Sequence, residues 1–296
     1  MVYTLIYPIK TNYYYASMTK LQRLFSNTLL LFSLFFIGSV NAQSVKTFTI
    51  GVVPQFEAKK LRKIWKPILA ELEQTTGFKF KLRGAANIPE FEKQFLAGEF
   101  DFAYMNPFHI LIANESQGYI PLIRDHGKKL SGILVVRKDS GISSVKALDN
   151  KVVAYPSPNA LGASLLLRAE LHDKFNIKIK PSYVKTHDSV YLNVLLKQAA
   201  AGGGVQKTFS KQQDSIKSAL KTIYKTTPVA PHPVVAHPRV GIKAYLKIKK
   251  ALLTLGNSEQ GKSMLAKIPM KKIGPAGMTD YAPLKQMNLK RFFVSQ

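Results

Sequence analysis

The sequence predicts an α/β protein built as two lobes, and three features carry that expectation. From Val45 onward, β-rich segments alternate with amphipathic helical ones, the order that gives a mainly parallel sheet covered by helices. The alternation restarts near residue 140, so it serves two lobes rather than one. A proline-spaced extended stretch, PVAPHPVVAHPRV (228–240), then leads into a helical end. Such a stretch suits an edge or a crossing, so the chain crosses between lobes twice, near SGILVV and near PHPVVAHP. On this division lobe one takes residues 43–131 plus 233–296 and lobe two takes residues 132–232.

In the first lobe KTFTIGVVP (46–54) reads as a strand. EAKKLRKIWKPILAELEQTTG (57–77) is an amphipathic helix with Leu61, Ile64, Trp65, Ile68, Leu69 and Leu72 on one face and Gly77 as its stop; Pro67 is expected to bend it. FKFKLRG is a strand, IPEFEKQFLAGE a short helix ending at Gly98, FDFAYMN a strand, and PFHILIANESQG a helix with Pro107 in its first turn. YIPLIRD and LSGILVVRK are further strands. In the second lobe SSVKALDN is a short helix, KVVAYP a strand, NALGASLLLRAELHDKFN a helix, KIKPSYVKT a strand and HDSVYLNVLLKQAAAGG a helix. GVQKTFS reads as a strand or its edge and DSIKSALKTIYKT as a helix; GIKAYLKIKKALLTLG and SEQGKSMLAKI are the closing helices.

The 296 residues, 46% of them hydrophobic, suffice for sizeable cores. With no cysteine the chain has no disulfide, no thiolate chemistry and no thiolate metal site. From Met18, MTKLQRLFSNTLLLFSLFFIGSVNAQS has a basic start (Lys20, Arg23), an apolar core from Leu29 to Ile37, and Val40 and Ala42 at the −3 and −1 positions of a cleavage site. That is a secretory signal, and the mature chain is expected to begin at Gln43 in the periplasm. Residues 1–17 fit no part of a signal, so within the leader and signal peptide of residues 1–42 Met18 is the candidate real start. The net charge is +26; Lys10, Lys20 and Arg23 are the only charged residues before position 43, which leaves +23 on the mature part. Such a balance attracts nucleic acid, anionic lipid or an anionic solute. An exported protein rarely meets nucleic acid, and the lysines are scattered along helices, so a solvated basic surface accounts for most of them.

Three loops lead from a strand into a helix start: AYMNPFH (103–109), YPSPNALG (155–162) and THDSVY (186–191). They offer Tyr104 and Asn106, Ser157 and Asn159, and Thr186, His187, Asp188 and Ser189, with no lysine or arginine. Helix N-termini carry unpaired N–H groups and partial positive charge, so several converging on one point make an anion site. Each loop alone is an ordinary N-cap; three in register across two lobes favour a cleft. An enzyme would have to use Ser157, His187 and Asp188. No G-x-S-x-G elbow and no H-E-x-x-H appears, the six histidines are dispersed, and AGGGVQKT lacks phosphate-loop spacing. A binding protein with no cofactor, no metal and no catalytic residue is therefore expected.

The blocks GVVPQFEAKKLRKIWKPILAELEQTTG, GEFDFAYMNPFHILIA, ILVVRKDSGISSVKALDNKVVAYPSPNALGASLL, THDSVYLNVLLKQAAAGGGV and YKTTPVAPHPVVAHPRV, in that order from about Phe48 to Met287, resemble the phosphate/phosphite/phosphonate-binding proteins of ABC transporters. The resemblance implies a type II periplasmic-binding-protein fold, two α/β lobes joined by two crossing strands and closing on a ligand. It implies that Tyr104 contacts the oxyanion and that His187 and Asp188 match the family's histidine followed by an acid. The family's Ser-Thr pair falls on Asn159 and Ala160, so Ser157 or backbone N–H groups would stand in for the missing hydroxyls. No carboxylate appears in AAAGGG to hold a substrate amine, which argues for phosphate, phosphite or another small oxyanion. A carboxylate such as Asp188 accepts a hydrogen bond from a protonated oxyanion and repels an unprotonated one such as sulfate. The implied function is capture of a small phosphorus oxyanion and delivery to an inner-membrane ABC permease, by a monomer without nucleic-acid partners. A receptor for a membrane sensor kinase and a secreted hydrolase built on Ser157 and His187 are the alternatives.

Overall fold

The structure is a computed structural model that describes residues 45–268 and 270–294; the leader and signal read at 1–42 lie outside the described residues. Two sheets organise the molecule. The first forms from β1 (Thr47–Val52), β2 (Lys79–Arg83), β3 (Phe102–Tyr104) and β4 (Ile120–Asp125), joined by β10 (Val234–Ala236) and β11 (Ile273–Pro275), in the order β11-β4-β10-β3-β1-β2. The second contains β5 (Gly132–Arg137), β6 (Val152–Tyr155), β7 (Lys180–Tyr183), β8 (Ala201–Val205) and β9 (Leu220–Lys225), in the order β7-β6-β8-β5-β9. Neither sheet is mainly parallel. β1 runs parallel to β2 and β3, and β6 to β7 and β8, but β10 lies antiparallel between β3 and β4, and β5 is antiparallel to both β8 and β9. The returning chain supplies β10, and a strand entering from the opposite lobe runs against those laid down before it.

The first sheet carries α1 (Ala58–Thr76), α2 (Ile88–Leu96), α3 (Pro107–Gln117), α8 (Ile242–Asn257) and α9 (Glu259–Leu265). Its core joins Trp65, Ile68 and Leu72 of α1 to Phe48, Phe91, Phe95, Phe100 and Phe102, all buried. α1 runs through Pro67 without ending. The second sheet carries α4 (Leu166–Phe175), α5 (His187–Leu195), α6 (Gln206–Ser210) and α7 (Asp214–Ala219). The helix expected over HDSVYLNVLLKQAAAGG stops at Leu195, and its alanine and glycine end is β8; GVQKTFS is the end of β8 followed by α6, and DSIKSALKTIYKT divides into α7 and β9. Pairing with β5 overrides the local preference in both strands.

The chain passes between the sheets after β4 and again after β9. The two passages touch through a pair of backbone hydrogen bonds, Leu130 N to Val229 O (2.8 Å) and Val229 N to Leu130 O (2.9 Å). A short α10 (Ala282–Gln286) precedes a terminal segment that runs to Val294 against α3 and α4.

Candidate functional site

A cavity lies between the sheets, where strand ends meet helix starts. Val53 and Gln55 border it after β1, Ile88 opens α2, Asn106 caps α3, residues 160–163 follow β6, His187 opens α5, Val205 ends β8, and His232 sits on the returning passage. The space is small, about 20 Å³ for the centre of a water-sized sphere. Among the described residues no carboxylate, lysine or arginine lines it.

Backbone strain is absent from the loop after β6, but its turn is unusual. Residues Leu161–Leu165 form a π-helical turn in which Ser164 N (2.7 Å) and Leu165 N (3.1 Å) both donate to Ala160 O. Single π turns concentrate at functional sites, and the first N–H groups of a helical turn have no partner within it. Ala160 N already donates to Ser157 O at 3.4 Å, so Leu161, Gly162 and Ala163 bring the uncommitted backbone donors to the cavity wall. The glycines of β8 permit this: a Cβ on Gly203 would stand 2.1 Å from Ala163 O, and one on Gly204 would stand 2.2 Å from Tyr191 Oη.

The other two helix starts are already satisfied. Asn106 Oδ1 accepts from Phe108 N and His109 N, both at 2.8 Å, while its Nδ2 donates to Asn159 O at 3.2 Å across the cleft. In α5, Thr186 Oγ1 accepts from Ser189 N at 3.1 Å and lies 2.8 Å from Ser189 Oγ. Gln212 Nε2 donates to Asp188 Oδ1 at 2.6 Å. Asp188 and Ser189 are therefore outside the cavity lining. His187 lines it, with Nδ1 3.3 Å from Thr208 Oγ1, and burial pushes its pKa down to about 4.

Asn159 is wholly buried, and its side chain is directed elsewhere. Nδ2 donates to Glu92 Oε2 (2.8 Å) and Val294 O (2.9 Å), and Oδ1 accepts from Val294 N (2.9 Å). Glu92 also meets His109 Nε2 at 2.9 Å. Ser157 is buried and its Oγ has no protein partner among the described residues. Tyr104 stands one layer behind the cavity: its ring stacks on His232 (centroids 5.3 Å, 24°) and packs on Trp65 (5.4 Å), and its hydroxyl has no partner among the described residues. Burial holds that phenol well above its ordinary pKa. The structure thus brings Asn106, Ala160 and His187 together at the cavity and sets Tyr104, Ser157, Asn159, Asp188 and Ser189 around it.

Sequence reasoning missed Gln55 and His232. Gln55 Nε2 lies 2.8 Å from His232 Nε2. An amide nitrogen can only donate, so Nε2 of the ring accepts and the neutral imidazole carries its proton at Nδ1. Burial, then the neighbouring His109 and His187, push His232 down to about 3. The motif APHP places this histidine between prolines on the passage between lobes, a second approach to the cleft besides the helix starts.

The sequence model for the periplasmic substrate-binding protein of the phosphonate ABC transporter matches residues 50–281. The chain belongs to that family. A relative from Mycolicibacterium smegmatis, the phosphate-import protein PhnD, is 24% identical over 225 residues, which cover 69% of this chain and 70% of the relative. A binding protein component of an ABC phosphonate transporter from Pseudomonas aeruginosa superposes with a TM-score of 0.75 at 18% identity, covering 84% of this chain and 88% of the other. PhnD1 from Prochlorococcus marinus, solved in complex with methylphosphonate, gives the same TM-score and identity over 83% of this chain and 98% of the other. These likenesses establish the type II periplasmic-binding-protein fold with two lobes. Proteins of this family are substrate-binding components that work with an ABC permease. No helix of the described residues is long and apolar enough to cross a membrane.

Proposed function

We propose that this protein captures a small phosphorus oxyanion (phosphate, phosphite or a phosphonate) by closure of its two lobes and presents it to an ABC permease. The observation that carries the reading is the cavity lining: two buried neutral imidazoles, two amide side chains and the wall formed by the π turn, with no acid. Such a lining offers hydrogen-bond donors to an anion in a poorly solvated space and offers nothing to repel it. In this reading residues 132–232 form one lobe and the remainder of residues 43–296 the other, and Tyr104 and Ser157 hold their unpartnered hydroxyls in reserve for the ligand's oxygens. Export through a signal cleaved after Ala42 and action as a monomer belong to the same proposal.

Turnover is not part of it. Ser157 Oγ makes no hydrogen bond to His187 or to any other described group, so it lacks the adjacent base a nucleophile needs. A thermal-shift series with phosphate, phosphite, methylphosphonate and sulfate tests the reading, because a ligand that binds only the folded state raises the melting temperature by mass action. A rise with at least one phosphorus oxyanion, and no product on prolonged incubation, is expected. No shift with any of the three at millimolar concentration overturns it.

A further inference from the structure

The cavity accounts for none of the lysines, yet several gather at its mouth. Phe56 follows the cavity residue Gln55 and is itself buried, and two ammonium groups flank its ring: Lys60 Nζ at 4.1 Å from the centroid and Lys211 Nζ at 5.1 Å. Lys60 belongs to α1 on the first sheet, and Lys211 caps the C-terminus of α6 on the second. α6 follows the cavity residue Val205, and its Thr208 contacts His187. The same helix carries Lys207, whose Nζ donates to Ala266 O, across the cleft, at 3.0 Å. Lys211, Lys271 and Lys128 are its cationic neighbours, and Asp125 is an acid that acts against them. Asp125 Oδ1 already accepts from Gly127 N and Lys272 N, both at 2.9 Å.

Closing the lobes therefore brings cations from both sides together: Lys60 towards Lys211, and Lys207 towards Lys128 and Lys271. Like charges drawn together in a partly desolvated cleft oppose closure. Lys207 records the cost, since burial and then the neighbouring lysines push it down to about 8, and Lys211 is lowered by burial and by Lys60. A surface that only steered anions would spread such charges rather than gather them from two lobes. Charges that converge from two lobes beside a ligand cavity point to a group that lies between them when the cleft is shut.

We propose that Lys60, Lys207 and Lys211 form a second anion subsite at the cleft mouth, so that the preferred ligand is a phosphorus oxyanion bearing a further negatively charged group. This rests on the oxyanion reading of the cavity and narrows it. The oxyanion occupies the neutral-donor cavity, and the second group, a carboxylate or another phosphoryl, projects past Gln55 and Val205 into the lysine rim. There it forms charge-assisted hydrogen bonds and cancels the repulsion that resists closure. One ligand then bridges both lobes at two points.

Calorimetric titration with methylphosphonate and phosphonoacetate, which differ by one carboxylate, tests the rim. At 150 mM salt phosphonoacetate is expected to bind on the order of tenfold more tightly, as one charge-assisted contact allows. In the Lys60→Gln/Lys211→Gln variant, checked for folding by circular dichroism, that ratio should fall to about twofold or less. Equal affinities in the unmodified protein, or a ratio that survives the double substitution, overturn the subsite while leaving the cavity reading intact. Failure of both ligands to bind overturns this inference, while the cavity reading falls only if phosphate and phosphite also fail.

Discussion

His187 and His232 are the residues whose chemistry most constrains the site. Burial pushes them to about 4 and about 3, from an ordinary value of 6.5. The unfolded chain thus takes up protons near pH 6.5 that the folded protein refuses until far lower. By linkage their contribution to stability is intact above about 6.5 and is lost progressively as the pH falls towards those folded values. The melting temperature of the ligand-free protein should therefore drop between pH 7 and 4.5, and His232→Gln should flatten the profile; an unchanged slope in the variant would show that other groups dominate. An anion in the cavity favours the imidazolium forms, so binding near pH 6 should take up protons, visible as a dependence of calorimetric heat on the buffer. At this scale sequence reading pointed to Asn106 and His187 because residues that start helices advertise themselves by type, and to Ala160 through the family resemblance; all three line the cavity. It placed Asp188 and Ser189 with them, since spacing along a helix start does not reveal that Gln212 and Thr186 claim those side chains. Gln55 and His232 carry no such local signature.

Among the elements, β8 and the π turn after β6 decide the shape of the cavity. The alternation of strands and helices was legible because hydrophobic period and turn residues are local properties. The strand AGGGV was not, because glycine has poor strand preference and its use here depends on what presses against it. Gly202 and Gly204 face Val190 and Tyr191 of α5, and Gly203 faces Ala163 O of the turn. Gly203→Ala should accordingly displace the turn that supplies the backbone donors, destabilising the protein by about 3 kcal/mol or more and weakening oxyanion binding together. Gly84, with nothing within 4 Å of a would-be Cβ and an unstrained backbone, provides the comparison: Gly84→Ala should leave both unchanged within about 0.5 kcal/mol. Urea unfolding and calorimetry on the two variants separate the cases, and equal small effects would mean that the turn adapts.

On the scale of the whole molecule, the two passages at Leu130 and Val229 give the lobes one narrow joint, and the contacts on the closing side govern how often the cleft is shut. Asn159 is central there. Its carbonyl accepts from Asn106, its amide donates to Glu92 on the opposite lobe, and it pairs with Val294 of the terminal segment. That segment touches both lobes as well, through Phe293 on Phe108 (5.8 Å), Lys290 with Glu115 (2.9 Å), and Arg291 with Asp173. Asn159→Ala removes the side-chain ties while keeping the backbone one, and it leaves Glu92 with His109 as its buried partner. The closed population should fall, and the apparent affinity falls in proportion to the fraction of molecules competent to bind. Small-angle scattering should then show a larger radius of gyration for the ligand-free variant than for the unmodified protein, with the two converging at saturating ligand. Losing one buried hydrogen-bond partner costs about 1–3 kcal/mol, so a roughly 5- to 150-fold loss of affinity is the corresponding range. Equal radii with equal affinities would mean that Asn159 holds the terminal segment without biasing closure. Equal radii with reduced affinity would place its effect in the cavity wall itself, through the neighbouring Ala160.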